Sequence, residues 1–471
     1  MGAGALFVAI PGRTVDGNAF IPAALEAGAA AVVVQEDRRA SWERHLRRGA
    51  AFVAVPDARV ALAEAAAAFY AYPARELGMV GVTGTDGKTT TTHLTAHVLH
   101  HTAGPAGFLS SVAFGVGDES EMNVSHMTTL EANDVQRHLA RIRDAGARYA
   151  VVEASSIGLD MHRVDQCEFD VGVFTNLTQD HLDYHGTMEA YLDAKAILFR
   201  MVDASIDKGF TKAAVLNADD PASAAIARAT KTQAITYGLK AEAAFTAREI
   251  ALDGWGMRFT LRHGQETIAA YVPLLGEYNV ANAIAAVAVA RSQGVSAGDA
   301  VAALASFAGV PGRMELIDQG QPFRVVVDIA STEQAMRNVL TMLRAVAGGE
   351  IIVVFGAAGE RDRARRSGIA RAVREQASFA VITNEDPRSE DPEAIIEEIA
   401  SALRDGGWRE GERFAREPDR REAIRMAFER ARPGDTVLLA GKATEPSIVI
   451  GTRHIPWDER AVARELLRGR V

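Results

Sequence analysis

A short segment rich in glycine and threonine has the residue types of a phosphate-binding loop. It comprises Gly84, Thr85, Asp86, Gly87, Lys88, Thr89 and Thr90. Glycines let backbone N–H groups approach phosphate oxygens closely, while a lysine amine suits the outer phosphates and a threonine hydroxyl suits magnesium. The common GxxxxGK[ST] pattern would have glycine where this chain has Val82. The segment therefore predicts a nucleotide phosphate site, with a glycine-rich turn before a helix as the alternative.

The elements around this loop have the order that phosphate binding requires. Met79 to Val82 is an apolar run typical of a strand, and Thr90 to Leu99 is predicted to be a helix. A loop between a strand and a helix N-terminus presents free N–H groups to an anion. The flanking pattern therefore favours the phosphate site.

Glu153 is a candidate magnesium ligand. It ends the apolar strand predicted from Tyr149 to Val152. An acid at the carboxyl end of a strand that follows a phosphate loop is where such folds hold magnesium. A carboxylate that merely caps a turn is the alternative.

A polar segment follows the strand predicted from Val171 to Thr175. Its titratable residues are Asp180, His181, Asp183 and His185. They could be metal ligands or a polar turn that caps the next helix, and spacing alone does not decide. That helix, predicted from Met188 to Met201, carries Lys195 beside its apolar face. A single helical lysine is most simply a solvated surface residue.

Two asparagines open a long alanine-rich helix. Asn279 and Asn282 are three residues apart, so they lie on one helical face. They could hydrogen-bond a nucleobase, and helix capping by Asn279 is the plainer interpretation.

Length and composition limit the class of protein. The 471 residues predict about three domains, and a net charge of −10 argues against a nucleic-acid-binding surface. Cys167, the single cysteine, excludes an internal disulfide and fits a reducing compartment. No apolar run is long enough for a membrane helix. The sequence thus predicts a cytoplasmic enzyme that binds neither nucleic acid nor membrane, and a monomer is expected.

The pattern of strands and helices predicts an α/β protein of three domains. Residues 1–76 form a small α/β domain, 77–309 a mostly parallel sheet, and 310–471 a further domain with four strand and helix units in a row. Polar segments follow the four strands of the last domain, at Asp328–Ser331, Gly356–Gly359, Asn384–Arg388 and Gly441–Glu445. They are expected at the ligand-binding edge of an open sheet. The charged runs Glu360–Arg374 and Trp408–Arg432 are interpreted as solvated helix faces.

Together these segments resemble the Mur ligase family, and within it the UDP-N-acetylmuramoyl-tripeptide synthetases of the MurE type. The most specific segments are Gly81–Thr90, Phe174–Leu177 with Asp180–Gly186, Tyr191–Lys195, Pro311–Glu315 and Asp386–Pro392. The resemblance runs over nearly the whole chain. It implies a central ATPase-like domain, a C-terminal Rossmann-like domain that binds an amino acid, and an incomplete N-terminal domain for the uridine-linked substrate.

The resemblance implies an ATP-dependent, ADP-forming ligase that activates a peptide carboxylate as an acyl phosphate. Lys88 would neutralise the transferring phosphoryl group, and Thr89 with Glu153 would hold one magnesium ion. His181 and a carbamoylated Lys195 would hold a second. The ATP positions would be the loop residues together with Asn279, Asn282, Arg313 and Asp328.

The resemblance also implies residues for the two other substrates, UDP-N-acetylmuramoyl-dipeptide and a diamino acid. They are Thr128, Thr129, Ser155, Arg163, Asp386, Arg388, Gly441 and Glu445. Arg388 would pair with a carboxylate of the amino acid and Glu445 with an ammonium. Asp386 replaces the asparagine of the family's D-N-P-R segment, and its charge could favour lysine or ornithine over diaminopimelate.

Several positions depart from the family's pattern. Ile157, Ser331 and Thr444 replace histidines, and Leu130 replaces a proline. Two alternatives therefore stand beside a synthetase of peptidoglycan precursors. One is a related ligase for another carboxylate, and the other is a nucleotide-binding pseudoenzyme.

Overall fold

The computed structural model describes residues 2–12, 15–46, 49–117, 119–125 and 127–469. The chain forms two compact units. The first comprises Met1–Arg248, Thr260–Ala270 and Ala281–Leu304, and the second comprises Glu249–Phe259, Tyr271–Val280 and Ala305–Val471. Among the described residues, no helix is both long and apolar enough to cross a membrane.

The first unit begins with a small parallel sheet in the order β1-β2-β3. Its strands are β1 (Leu6–Val8), β2 (Ala31–Gln35) and β3 (Ala51–Val55), and its helices are α1 (Ile21–Glu26), α2 (Arg39–Trp42) and α3 (Ala58–Phe69). Ile21, Val32, Val34 and Trp42 form its core. The helix α3 begins where the Asp57 side chain accepts hydrogen bonds from two backbone N–H groups of the first turn.

The rest of the first unit is built on a larger sheet. Its elements in chain order are β4 (Gly78–Thr83), α4 (Lys88–Thr102), β5 (Ala106–Leu109), β6 (Ala113–Val116), β7 (Glu119–Met122), α5 (Ala132–Asp144), β8 (Tyr149–Glu153), α6 (Ser156–Asp160), β9 (Val171–Phe174), α7 (Leu182–His185), α8 (Met188–Ala204), β10 (Ala213–Asn217), α9 (Ser223–Ala229), β11 (Ala234–Gly238), β12 (Phe245–Asp253), β13 (Gly256–His263), β14 (Glu266–Val272), α10 (Glu277–Ser292) and α11 (Ala297–Leu304). The last three strands and α10 extend into sequence ranges that belong to the second unit.

Parallel strands at the centre of this sheet place the functional loops at one edge. The spatial order β11-β10-β9-β4-β8-β5 is parallel throughout, and β6 and β7 continue it as antiparallel strands. Every residue of β4, β8 and β9 is buried, which explains why these strands read as continuous apolar runs. The predicted strand before the phosphate loop and the predicted helix after it are confirmed as β4 and α4.

The second unit is a six-stranded sheet in the order β15-β16-β20-β17-β18-β19. Its elements are β15 (Glu315–Ile317), β16 (Arg324–Asp328), α12 (Glu333–Val346), β17 (Ile351–Phe355), α13 (Ala364–Gln376), β18 (Phe379–Ile382), α14 (Pro392–Asp405), β19 (Phe414–Arg416), α15 (Arg420–Arg430), β20 (Thr436–Ala440), β21 (Ser447–Ile450), β22 (Arg453–Pro456) and α16 (Glu459–Arg468). The four predicted strands are present, and β15 and β19 are edge strands that the sequence did not predict. The predicted α/β class is confirmed.

Candidate active site

The loop between β4 and α4 follows a path that only glycine allows at two positions. Gly84 has φ of +151° and Gly87 has φ of +80°. A Cβ atom on Gly84 would lie 1.8 Å from the Thr175 hydroxyl oxygen, and one on Gly87 would lie 2.7 Å from Asn282 Oδ1. Both separations are too short for a side chain. The two glycines therefore permit close packing of the loop as well as its turn.

Residues at the end of β9 fix the loop from the other side. The Thr85 N–H donates to the Asn176 carbonyl at 2.8 Å, and the Asp86 N–H donates to Asn176 Oδ1 at 2.9 Å. The Thr175 hydroxyl donates to the Asp86 carbonyl at 2.6 Å. Thr90 lies in the first turn of α4. The loop is thus held in shape by the neighbouring strand.

Two lysines meet at one carbonyl of this loop. Lys88 Nζ donates to the carbonyls of Gly84 and Thr85 at 3.1 and 2.7 Å, and Lys195 Nζ donates to Gly84 at 2.7 Å. Lys195 is buried, so the interpretation as a solvated residue is wrong. Burial, and to a smaller extent the nearby Lys88 charge, lower the pKa of Lys195 to about 6.

Thr89 and Glu153 are adjacent, as their predicted shared role requires. The Thr89 hydroxyl lies 3.1 Å from both carboxylate oxygens of Glu153. Ser111, which the sequence analysis did not single out, donates to Glu153 from its N–H at 2.9 Å and its hydroxyl at 3.1 Å. Its hydroxyl is also 2.9 Å from that of Thr89. The buried carboxylate is therefore bound by hydroxyl and N–H groups from two segments, the start of α4 and the residues after β5.

The segment that carries the two histidines forms a polar turn. His181 has φ of +52° immediately before α7, and its N–H donates to Asp180 Oδ1 at 2.8 Å. His185 Nε2 lies 3.0 Å from the Ser156 hydroxyl, so the two rings have different partners. The Tyr191 ring lies 6.1 Å from the His181 ring, and Lys195 Nζ lies 4.1 Å from the same Tyr191 ring. Tyr191 is thus the common neighbour of the two predicted ligands, His181 and Lys195.

The predicted residues for the carboxylate substrate lie beside Glu153. The Thr129 hydroxyl donates to the Glu153 carbonyl at 2.9 Å and accepts from the Ser155 N–H at 2.9 Å. Arg163 donates to the Thr129 carbonyl at 3.2 Å and pairs with Glu131 at 2.7 Å. Thr128 is partly exposed next to this group. The structure brings all four predicted positions to the end of β8.

The predicted nucleotide positions outside the loop fall in both units. In the first unit, the Thr91 hydroxyl donates to Asn282 Oδ1 at 3.2 Å, which ties α10 to α4. In the second, Asn279 lies inside α10, and its Nδ2 donates to the Leu275 carbonyl at 2.9 Å. This bond is not an N-cap, in which a side-chain oxygen accepts from a backbone N–H, so it does not support the capping interpretation.

Arg313 and Asp328 belong to the second unit. Asp328 accepts from the N–H groups of Met314 and Ala330 at 2.8 Å each. Burial raises the pKa of Asp328, while these two bonds and the Arg313 charge oppose the shift. Asp328 therefore shapes the turns around itself.

A charged cavity of about 270 Å³ lies at the carboxyl edge of the second sheet. Its charged lining residues are Arg361, Asp362, Arg365, Arg366, Glu385, Asp386, Arg388 and Glu445. Arg361 and Arg365 come from the run that was interpreted as a solvated helix face, and Arg366 from the same run is buried between Glu390 and Glu398. That interpretation is wrong for Arg366, which is buried, whereas Arg361 is exposed at the rim of the cavity.

Lys442 pairs with two of the acids in this cavity. Its buried Nζ donates to Asp386 Oδ1 at 2.8 Å and to Glu445 Oε2 at 2.6 Å. Asp386 Oδ1 also accepts from the Val449 N–H at 2.8 Å. The negative charge of Asp386 is therefore already paired within the protein.

Glu385 is the buried acid of the cavity that the sequence analysis did not select. Burial raises its pKa to about 7, and the Arg420 charge opposes the rise. Its Oε2 atom is buried and has no hydrogen-bond partner among the residues that the structure describes. A Cβ atom on Gly441, which has φ of +99°, would lie 2.9 Å from that oxygen. Gly441 thus leaves room for the Glu385 carboxyl group.

The side-chain atoms best suited to hold a metal ion are the oxygens of Thr89 and Glu153, not a cluster of nitrogen or sulfur ligands. Within the described ranges, no three residues of the types His, Cys, Asp and Glu come together as a metal site. The hydroxyl of Thr89 and the carboxylate of Glu153 are hard oxygen donors, and magnesium takes few protein ligands of this kind beside phosphate and water. The donor set fits magnesium at this position.

Models of one protein family match most of the chain. Residues 1–70 match the model described as "Mur ligase family, catalytic domain", residues 82–290 match "Mur ligase middle domain", and residues 312–443 match "Mur ligase, glutamate ligase domain".

Curated relatives and a solved structure are similar over nearly the full length. A "UDP-N-acetylmuramyl-tripeptide synthetase" of Roseiflexus sp. (strain RS-1) is 45% identical, covering 98% of this chain and 92% of the relative. A "UDP-N-acetylmuramoyl-L-alanyl-D-glutamate--2,6-diaminopimelate ligase" of Geobacillus thermodenitrificans (strain NG80-2) is 41% identical, covering 99% and 93%. A solved structure of a "UDP-N-acetylmuramoyl-L-alanyl-D-glutamate--2, 6-diaminopimelate ligase" has a TM-score of 0.69 and 31% sequence identity. The match covers 100% of this chain and 93% of the chain in that structure.

Proposed function

The chain belongs to the Mur ligase family, and from this premise we propose that it joins a diamino acid to UDP-N-acetylmuramoyl-L-alanyl-D-glutamate with conversion of ATP to ADP. The observation that carries the proposal is the group formed by Lys88, Thr89, Glu153 and Lys195 around one loop. These side chains provide a cation for phosphate, an oxygen site for magnesium and a neutral amine.

The first step of the proposed reaction transfers the γ-phosphoryl group. A carboxylate oxygen of the dipeptide attacks the γ-phosphorus, the bond from that phosphorus to ADP breaks, and an acyl phosphate forms. Lys88 would leave the loop carbonyls to bind the phosphoryl oxygens, whose charge it offsets. Magnesium bound by Thr89 and Glu153 would neutralise negative charge on the phosphates. Ser111 fixes the Glu153 carboxylate for this task.

Lys195 is proposed to be carbamoylated and, with His181, to contribute to a second magnesium site. The depressed pKa supports this, because carbon dioxide reacts with a neutral amine. The amine nitrogen would form a bond to the carbon of carbon dioxide and release one proton, which leaves a negatively charged carbamate on a side chain that would otherwise carry a positive charge or none.

In the second step, the amino group of the incoming amino acid attacks the acyl carbon. The bond to phosphate breaks, an amide forms and the amine loses a proton. The charged cavity of the second unit is proposed to bind this amino acid, with Arg388 on a carboxylate. Glu445 is paired with Lys442, so Glu385 is the better candidate for the second ammonium.

The cavity favours an amino acid with two carboxylates. Arg361 and Arg388 approach it from different loops, while the charge of Asp386 is offset by Lys442. The relatives named as 2,6-diaminopimelate ligases agree with this preference. We therefore favour meso-diaminopimelate over lysine or ornithine, and a cytoplasmic location is part of the proposal.

Phosphate release tests this function. Purified protein is given ATP, magnesium and UDP-N-acetylmuramoyl-dipeptide, with meso-diaminopimelate, L-lysine or L-ornithine added separately. We expect release that requires both the dipeptide and diaminopimelate. Release with lysine or ornithine alone would overturn the choice of amino acid, and no release with any of them would overturn the function and favour another carboxylate substrate or a pseudoenzyme.

A further inference from the structure

Arg420 and Glu459 form a fully buried ion pair beneath the charged cavity. Both side chains have 0% exposure, and Arg420 donates to the two carboxylate oxygens of Glu459 at 2.9 and 2.6 Å. The Trp457 indole N–H donates to the same carboxylate at 2.7 Å. Arg420 and Glu459 are the first residues of α15 and α16, so both helices hold the pair in place. Arg420 lies in the second charged run, which was interpreted as a solvated face, and that interpretation is wrong here.

The remaining donors of Arg420 reach the backbone of two loops. They bind the Asn384 carbonyl at 3.2 Å and the Ala440 carbonyl at 2.8 Å. Asn384 directly precedes Glu385 and Asp386, and Ala440 directly precedes Gly441 and Lys442. One guanidinium therefore bridges the two chain segments that carry most of the acids of the cavity. The second segment also carries Lys442, which pairs with Asp386 and Glu445.

The sheet fixes where these two loops begin, because β17 pairs with both β18 and β20. Beyond the strand ends, their separation depends on side-chain links, namely the bonds of Arg420 and the pair of Lys442 with Asp386. The strands β18 and β20 are separated by β17, so no ladder hydrogen bond joins them directly. The guanidinium spans the end of β17 and fixes both loops to one rigid group. An apolar pair of similar volume would fill the same space, but it would leave both carbonyls without these donors.

We propose that Arg420, held by Glu459, is a positioning residue that sets the separation of the two loops and so the affinity of the cavity for the incoming amino acid. This rests on the proposed role of the cavity as the amino-acid site. The Arg420 charge acts on Glu385 as well, because it opposes the rise in the pKa of that carboxyl group. Arg420 would thus influence both the shape and the ionisation of the cavity without touching substrate.

Two variants of the full chain test the proposal. Arg420→Lys keeps the charge but cannot reach two carbonyls and a carboxylate together. The double variant Arg420→Met with Glu459→Met leaves no unpaired buried charge, which protects the fold. The control is Arg421→Ala, since Arg421 is the next residue of α15 and pairs with Glu465 of α16 at an exposed position.

The readouts are binding of meso-diaminopimelate, L-lysine and L-ornithine by calorimetry, the KM for each substrate, and Tm. We expect both variants to weaken amino-acid binding and raise its KM by about tenfold or more, with the KM for ATP unchanged and the control like wild type. Unchanged amino-acid affinity in both variants, or a loss shared by all substrates, would overturn the proposal. If the wild-type protein binds none of the three amino acids, the inference fails with its site. If it binds one without turnover, only the proposed function fails.

Discussion

Lys88 and Lys195 donate to the same acceptor, the carbonyl oxygen of Gly84, at 3.1 and 2.7 Å. Two ammonium groups at one carbonyl would repel each other, and the buried Lys195 is the one whose charge is disfavoured. In the proposed function, this arrangement would leave one cation for phosphate and one neutral amine for carbamoylation.

Replacing Lys195 should separate turnover from nucleotide binding. Lys195→Ala should abolish ATP-dependent phosphate release while leaving ATP affinity largely intact, because Lys88 and the Thr89 and Glu153 pair remain. Phosphate release and calorimetric titration with ATP measure the two effects, and Lys240→Ala, at an exposed position, is the control. Near wild-type turnover in Lys195→Ala would refute the assignment.

Carbamoylation predicts a dependence on carbon dioxide that changes with pH. The pKa of Lys195 is about 6, so the reactive neutral amine dominates above that pH and the ammonium below it. Protein stripped of carbon dioxide by degassing should regain activity with bicarbonate at a pH of about 7 to 8 and regain little below about 6. Activity that does not change with added bicarbonate at any pH would count against carbamoylation of Lys195.

Ser111 should affect the metal requirement more than substrate binding. Ser111→Ala removes the hydroxyl that binds both Glu153 and Thr89, although the Ser111 N–H bond remains. We expect the magnesium concentration for half-maximal rate to rise by about tenfold, as for loss of a hydrogen bond that orients a metal ligand. Magnesium titration of the rate measures this, with the exposed Ser120→Ala as control. An unchanged titration curve would show that Ser111 is dispensable for the site.

A comparison of alanine variants at two glycines with nearly the same φ distinguishes backbone strain from the effect of close packing. Gly87 and Gly146 have φ of +80° and +78°, but a Cβ atom would meet Asn282 only at Gly87 and nothing within 4 Å at Gly146. Alanine should cost about 1 to 2 kcal/mol of folding stability at either site from the left-handed conformation. Only Gly87→Ala should also weaken ATP binding. Equal ATP affinity in the two variants would mean that the packing against Asn282 does not shape the loop.

The charge of Asp386 should have little influence on the choice of amino acid. Because Lys442 already offsets it, Asp386→Asn should change the ratio of kcat/KM between meso-diaminopimelate and L-lysine by less than about tenfold. Kinetics with both amino acids test this, with the exposed Asp405→Asn as control. A switch of about a hundredfold would restore the view that this charge selects the amino acid.

The features that the sequence predicted correctly are those that depend on residues close together in the chain. The loop from Gly84 to Thr89, its strand and its helix are specified by neighbouring residues, and Glu153 follows from the rule on strand ends. Helical spacing alone wrongly suggested that Lys195 is a surface residue, because its burial depends on the packing of α8 against the loop. Only the family resemblance pointed to Lys195 as a site residue. Ser111 follows β5 without a motif, and only its place after a buried strand could have drawn attention to it.

The charged runs were misread for a related reason. Composition distinguishes a charged helix from an apolar one, but it does not show which charge finds a partner inside the protein. Arg366 and Arg420 are buried because Glu390, Glu398 and Glu459 reach them from distant positions. Likewise, the interpretation of Asp386 lacked Lys442, which is 56 residues away in the chain.

The bond from Thr91 to Asn282 spans 191 residues, and this has a consequence during synthesis. In a nascent chain, the phosphate loop leaves the ribosome more than a hundred residues before Asn282, against which it packs. Gly87 and α4 therefore remain incompletely packed until α10 and then α11, whose Ala303 carbonyl lies 2.9 Å from His97 of α4, have emerged. A polypeptide terminated before α10 would carry every residue of the loop and still lack its final support, which would mark it as a target for cellular proteases.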